Sequence, residues 1–307
     1  MRVVFLVNTT ASSVTARTRV VIQKALSAGN TVTVAETSRR GHAMRLAQGA
    51  AADGADLVVV LGGDGTLNEA ANGLAGTDTA LGVLPGGSTN VFARTIGMTN
   101  DPVEATGELL DGLTKGRLHK ISLGSVNGRY FLFHVGMGFD AAVVEQVERR
   151  GGLKRYLGHP LFVYAAFSTW FRHYDFSRPR MSVAFPDGDV VDDSYLTIVL
   201  NSNPYTFLGP RPLDLAPDAD LSSGLVSVTL RTLGFAPLLG IVGAALRGGG
   251  RLRDHKGVDY RARLTGLTVR GHGPFPYQVD GDHLGSVESL EFRHHPDALT
   301  VVYPGSP

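Results

Sequence analysis

Leu57-Val58-Val59-Val60-Leu61-Gly62-Gly63-Asp64-Gly65-Thr66-Leu67-Asn68-Glu69 decides how this chain folds. Leu57 to Leu61 is an unbroken apolar run, the pattern of a strand buried on both faces of a parallel sheet. It runs into a turn rich in glycine. Beyond the turn, Leu67, Ala70, Ala71 and Leu74 recur at helical spacing. Strand, glycine turn and helix in this order place backbone N–H groups and a helix N-terminus together, an arrangement that suits a phosphate. Asp64 sits within the turn. A bare carboxylate beside phosphate is repulsive, so its presence points to a bridging cation, Mg²⁺.

Working outward, the first part of the chain alternates strand and helix signals. Strands are expected at Arg2–Val7, Thr31–Glu36, Asp56–Leu61 and Ala80–Leu84. Helices are expected at Thr15–Ala28, from Gly41 to about Ala52, after the glycine turn, and at Asp101–Leu113. The expected fold class is therefore an α/β doubly wound nucleotide-binding domain, residues 1–121, with ligands at the carboxyl ends of its strands. A second glycine loop, Pro85-Gly86-Gly87-Ser88-Thr89-Asn90, falls at such an end.

Near Lys120 the pattern changes. Lys120–Val126 and Tyr130–Val135 flank Asn127-Gly128, a hairpin signal. Short strands are expected at Arg180–Phe185, Tyr195–Asn201, Leu225–Arg231, Gly257–Ala262, Leu267–Arg270, Pro276–Val279 and Ser289–Arg293. Helices are expected at Ala141–Arg149 and His159–Trp170. Residues 122–307 thus read as a β-rich, sandwich-like second domain. The final strand, Leu299–Tyr303, is expected to return to the first domain.

Bulk properties narrow the function. The formal net charge is +1, so composition gives no argument for a nucleic-acid partner. The absence of cysteine excludes disulfides, thiolate metal sites and cysteine nucleophiles. No signal peptide and no spanning apolar run is read, so a cytoplasmic protein is expected. A homodimer is compatible with the sequence.

Several segments, in order, resemble the diacylglycerol kinase catalytic superfamily, in its bacterial soluble lipid kinase branch. They are Gly62-Gly63-Asp64-Gly65-Thr66 with Asn68 and Glu69; Thr37 with Gly41-His42-Ala43; Pro85 to Asn90 with Phe92-Ala93-Arg94; and Gly136-Met137-Gly138-Phe139-Asp140-Ala141. Ala216-Pro217-Asp218-Ala219 through Leu225, and Gln278-Val279-Asp280-Gly281-Asp282, complete the series. The resemblance implies an ATP- and Mg²⁺-dependent lipid kinase, with diacylglycerol the default acceptor and sphingoid bases or ceramide open.

The resemblance also implies roles. Asn8, Thr9, Thr10, Thr37, Gly62, Gly63, Asp64, Gly65, Thr66, Asn68, Glu69, Gly87, Ser88 and Thr89 would bind the nucleotide. Asp64 would hold the catalytic Mg²⁺. Asp282 would be the general base and Asp140 would orient it or the acceptor hydroxyl. Asp280 would carry nucleotide or metal contacts. A structural Mg²⁺ would sit at Asp220, Ser223 and Leu225, although Ser223 stands where the family carries Asp. The chain also has Asn8-Thr9-Thr10-Ala11-Ser12 for the family's Asn-Pro-x-Ser-Gly, and Val91 for an Asp.

Competing readings are an NAD kinase-like phosphotransferase and a catalytically weak nucleotide- or lipid-binding protein. A Rossmann oxidoreductase is weakest, because the loop lacks Gly-x-Gly-x-x-Gly. Two segments suit peripheral docking to an anionic membrane: Leu153 to Arg172, and Leu233–Leu246 followed by Arg247, Arg251, Arg253, His255 and Lys256. Each also reads as a core helix with a basic end.

Overall fold

The computed structural model describes residues 1–138, 141, 178–232 and 234–305, with side chains at 235–237 left aside. Asp140, the helices expected at 141–149 and 159–170, and the 153–172 docking segment lie outside the described residues, Ala141 excepted. The chain divides into two units. One joins Met1–Leu123 to Pro296–Pro307, and the other is Gly124–His295.

The first unit is α/β. Its strands are β1 (Arg2–Val7), β2 (Thr31–Glu36), β3 (Leu57–Gly62) and β4 (Ala80–Pro85). They pair in parallel in the order β2-β1-β3-β4. Every residue of β3 and β4 is buried, as the unbroken apolar runs require. The helices are α1 (Ala16–Leu26), α2 (His42–Ala52), α3 (Asp64–Leu74), α4 (Val91–Thr95) and α5 (Pro102–Thr114). Strand order reverses direction at β1. Right-handed crossovers then put α1 on one face and α2 and α3 on the other, and α2 does pack on α3 while α1 packs on α5. Two of the four helix starts read from the sequence for this unit carry a side-chain cap at the N-cap residue. The Thr15 hydroxyl accepts from Thr18 N, and Asp101 from Val103 N and Glu104 N.

The second unit is rich in strands: β5 (Leu118–Val126), which enters it, β6 (Arg129–Phe131), β7 (His134–Gly138), β8 (Met181–Ala184), β9 (Val190–Ser194) and β10 (Leu196–Leu200). Then come β11 (Thr206–Leu208), β12 (Arg211–Leu213), β13 (Leu225–Leu230), β14 (Val258–Leu264), β15 (Gly266–Val279) and β16 (Asp282–Val302). A helix, α6 (Phe235–Ala245), precedes β14. Antiparallel ladders join β14-β13-β10-β7-β15-β16. Two apolar clusters form on this framework. One gathers Ile198, Leu200, Val228 and Ile241, the other Phe131, Val135, Val183, Phe275 and Phe292.

The Asn127-Gly128 hairpin forms as read, with φ of 47° and 82° and Val126 opposite Arg129. Other details differ from the sequence reading. The run Tyr130–Val135 is split, because the N–H groups of Leu132, Phe133 and His134 all turn to the Asp280 carboxylate. Leu267–Arg270 and Pro276–Val279 are one strand, β15, whose register shifts absorb the glycines and proline between them. Ser289–Arg293 and residues 299–302 likewise belong to one strand, β16. Its far end lies parallel to β4 with Val301 opposite Leu81, so the expected return to the first unit occurs.

Candidate functional site

Two glycine loops meet at the carboxyl ends of adjacent strands. β3 ends at Gly62 and β4 at Pro85, with Gly62 paired to Pro85. Gly86 N donates to Gly62 O at 2.8 Å. A Cβ added at Gly86 would lie 2.8 Å from Gly62 N, and one at Gly87 would lie 2.8 Å from Gly63 Cα. The glycines therefore let backbone pack on backbone, besides whatever room they leave for a ligand.

Three short segments are tied to this pair of loops. Asn8 Nδ2 donates to Thr66 Oγ1 at 2.8 Å, and Asn8 Oδ1 accepts from Thr10 N and Thr10 Oγ1 at 3.0 and 2.8 Å. Ser13 N donates to Gly86 O at 3.0 Å, and Ser13 Oγ to Gly87 O at 3.2 Å. Asn90 has a φ of 50°, accepts from Gly87 N at 2.8 Å, and donates to Gly87 O and Asn100 Oδ1 at 2.9 and 2.8 Å. Neither Ser13 nor Asn90 was among the candidate site residues. Asn90 was legible, since asparagine tolerates the left-handed conformation that such a loop needs.

The acids of the first motif hold helix ends. Asp64 accepts from Val91 N and Phe92 N at 3.0 and 3.2 Å, at the start of α4. Glu69 accepts from Gly41 N and Ala43 N at 2.6 and 3.0 Å, at the start of α2. A carboxylate suits a helix N-terminus. Arg94 lies where it feels the Asp64 charge. Burial lowers its pKa more than Asp64 raises it. Glu69, expected at the nucleotide, is thus a cap for α2. Asn68, also expected there, is 1% exposed on the inner side of α3 and accepts from Asn72 Nδ2. α3 itself begins at Gly63 with no side-chain cap. Gly65 and Thr66 lie in that first turn, Thr9 in the turn after β1, and Thr37 at the end of β2, its N–H on Val7 O. Ser88 is exposed and Thr89 half-buried in the second loop.

The second unit holds the remaining acids. Asp280 is 4% exposed, and its two oxygens accept from Leu132, Phe133 and His134 N at 2.8, 3.0 and 3.0 Å. It is an anchor, which corrects the nucleotide or metal contact expected of it. Gln278 Oε1 accepts from Gly281 N at 2.8 Å, closing the turn from the other side. Asp282 follows at the start of β16, opposite Val279 and half-buried. The two residues before it, Asp280 and Gly281, both hold positive φ.

The turn read as a structural metal site is closed by its own donors. Asp220 Oδ1 accepts from Ser222 N, Ser222 Oγ and Ser223 N at 2.9, 2.9 and 2.8 Å. Ser223 Oγ donates to Asp218 O, and Leu225 is buried in β13. Burial pushes the Asp220 carboxyl up, but these donors outweigh it and hold it below the usual value. Asp220 Oδ1 and Ser223 Oγ are thus engaged within the turn itself. Among the described residues, no cluster of three or more His, Cys, Asp or Glu is placed to hold a metal.

Comparison with known proteins now bears on this geometry. Residues 2–143 match the family model of the diacylglycerol kinase catalytic domain. Over 290 residues the chain is 31% identical to a diacylglycerol kinase of Bacillus subtilis (strain 168), covering 92% of this chain and 89% of that protein. The chain belongs to the diacylglycerol kinase family. A "Probable lipid kinase YegS-like" protein of Pseudomonas aeruginosa (strain UCBPP-PA14) is 31% identical over 283 residues, covering 91% of this chain and 87% of that one. A crystal structure from Bacillus anthracis str. Sterne superposes with a TM-score of 0.78 at 23% identity, over 98% of this chain and 97% of its own. A diacylglycerol kinase structure from the same organism gives 0.68 at 20%. These two carry the fold alone. The stretch matched by the diacylglycerol kinase family model contains both glycine loops, Asp64 and Asp140, while Asp280 and Asp282 lie beyond it.

Proposed function

We propose that this member of the diacylglycerol kinase family transfers the γ-phosphoryl group of ATP to the hydroxyl of a lipid, diacylglycerol giving phosphatidic acid. The observation that carries this reading is the pair of glycine loops locked backbone to backbone at the ends of β3 and β4. In this reading the first unit is a doubly wound nucleotide-binding domain. The first turn of α3, begun at Gly63 without a side-chain cap, offers N–H groups to the phosphates. Thr66, held by Asn8, and Ser88 and Thr89 of the second loop complete the polar surface.

Mg²⁺, when bound, neutralises phosphate charge. The residues fit it as a water-mediated ion, since both Asp64 oxygens already hold α4 and Mg²⁺ commonly keeps several waters. Asp282 orients the acceptor hydroxyl and takes its proton, the modest chemical task that phosphoryl transfer leaves to a carboxylate. Asp140 is proposed to assist it. The protein works as a peripheral enzyme at a membrane surface that holds its substrate.

The test is transfer from labelled ATP with Mg²⁺ into a lipid extract in detergent micelles, with NAD as a parallel acceptor. Labelled lipid, identified by mass, is the expected result. Label in NADP, or ATP binding with no transfer to any lipid, overturns the reading.

A further inference from the structure

The helix α6 has no charged residue in its eleven positions, Phe235-Ala236-Pro237-Leu238-Leu239-Gly240-Ile241-Val242-Gly243-Ala244-Ala245. One side of it belongs to the core, where Ile241 and Ala245 pack with Leu252 and Val258. The other side is apolar too. Leu239, Val242 and Leu246 are 55%, 39% and 44% exposed, and their spacing of three and four puts them on a single face. A helix that is apolar all round belongs inside a core or in hydrocarbon. Here the core takes only half of it.

The residues that follow are basic. Arg247, Arg251, Arg253 and Lys256 accompany one carboxylate, Asp254, and one imidazole, His255. Arg253 is held by Asp218 at 2.5 Å and lies over the Tyr260 ring. Arg247 donates to Gly243 O at 3.0 Å, which keeps its guanidinium at the end of the apolar face while leaving it exposed. Arg251 and Lys256 are exposed as well. Apolar side chains beside a cationic rim match a membrane of anionic lipid, where the chains take the first and the headgroup phosphates take the second. No helix among the described residues is long and apolar enough to cross a membrane, so α6 would lie in its plane.

We infer that the face formed by Leu239, Val242 and Leu246, rimmed by Arg247, Arg251 and Lys256, docks this enzyme on anionic membranes. This deepens the proposed reading, because it supplies the surface at which a lipid acceptor is met. It can nevertheless stand without it.

Full-length protein would be sedimented with vesicles of phosphatidylcholine alone, and with about one-third phosphatidylglycerol added. The native chain should favour the anionic vesicles by an order of magnitude or more. Leu239→Gln with Val242→Gln should abolish most of that binding. Arg247→Gln and Arg251→Gln, which leave the packed face intact, should each weaken it by about fivefold. Both sets should leave transfer to a short-chain, monomeric acceptor unchanged. Variants that bind like the native chain, or native binding indifferent to the anionic lipid, would overturn the assignment. A native dimer in solution that the Gln variants turn into monomer would overturn it too, by giving the face to a second copy. Vesicle binding that depends on this face in a protein without lipid kinase activity would sink the proposed reaction and leave the docking surface standing.

Discussion

Asp280 and Asp282 lie two positions apart in different settings, the first buried and the second half-buried. Asp280 is buried and accepts from three backbone N–H groups. Asp280→Asn would turn an amide toward some of those donors, and should cost about 2–3 kcal/mol, read from urea unfolding. Asp282→Asn should lower turnover by about 10²-fold or more, with ATP affinity retained. An active Asp282→Asn enzyme would remove it as the base. His134 is a third kind of residue. Burial drives its pKa down to about 3. From about pH 6.5 down toward that value, the unfolded chain binds a proton that the folded one refuses. Stability from this group therefore falls with acid, by up to about 1.4 kcal/mol per pH unit, and is constant above neutrality. His134→Leu should flatten the fall measured between pH 7.5 and 5.5. None of this division was legible from Asp-Gly-Asp alone. A turn sequence says that carboxylates are near each other, but that Asp280 takes three backbone N–H groups depends on Leu132 to His134, far away in the chain. Asp64 and Glu69 repeat the lesson. Their motif was legible, and the helix ends that they hold were not.

At the scale of elements, the sequence read best where periodicity was local and unbroken. β1 and β2 fall where expected, residue for residue, and β3 and β4 within one. It read worst where tertiary pairing overrides local signals. Gly271 to Pro274 look like a break, and they do interrupt the ladder with β16, but it resumes with Phe275 opposite Val287, so β15 continues beyond them. The short strands β9, β11 and β12 were missed because each is set by its partner more than by its own composition. The short α4 was hidden within a motif read as a loop. The packing of the two glycine loops leads to a prediction of its own. Gly86→Ala and Gly87→Ala would each place a methyl against backbone atoms that have no rotamer to change. Each should part the loops, lower stability by about 1–3 kcal/mol, and weaken ATP binding with it. Calorimetric titration with ATP, beside thermal unfolding, checks both effects. Retained ATP affinity in a destabilised protein would show that the loops only support the fold.

On the scale of the whole molecule, alternation of strand and helix followed by strands gave the α/β unit and the strand-rich one. The closing return was readable as an isolated apolar strand, Leu299–Tyr303, with nowhere to go in the second half. Val301 beside Leu81, and Tyr303 N bonded to Arg117 O at 3.0 Å, show where it goes. A chain ending at His295 should lose the first unit's cooperativity, seen as a lower and broader thermal transition, while the second unit keeps its own clusters. An unchanged transition would make the return dispensable. This threading also orders events during synthesis. Residues 1–123 are made before the inserted unit, and the strand beside β4 is made after it. The inserted unit can condense in the meantime, whereas the sheet that presents the glycine loops stays open at β4 until that strand is made. The glycine loops thereby reach their final setting only after residues 124–295 have been made.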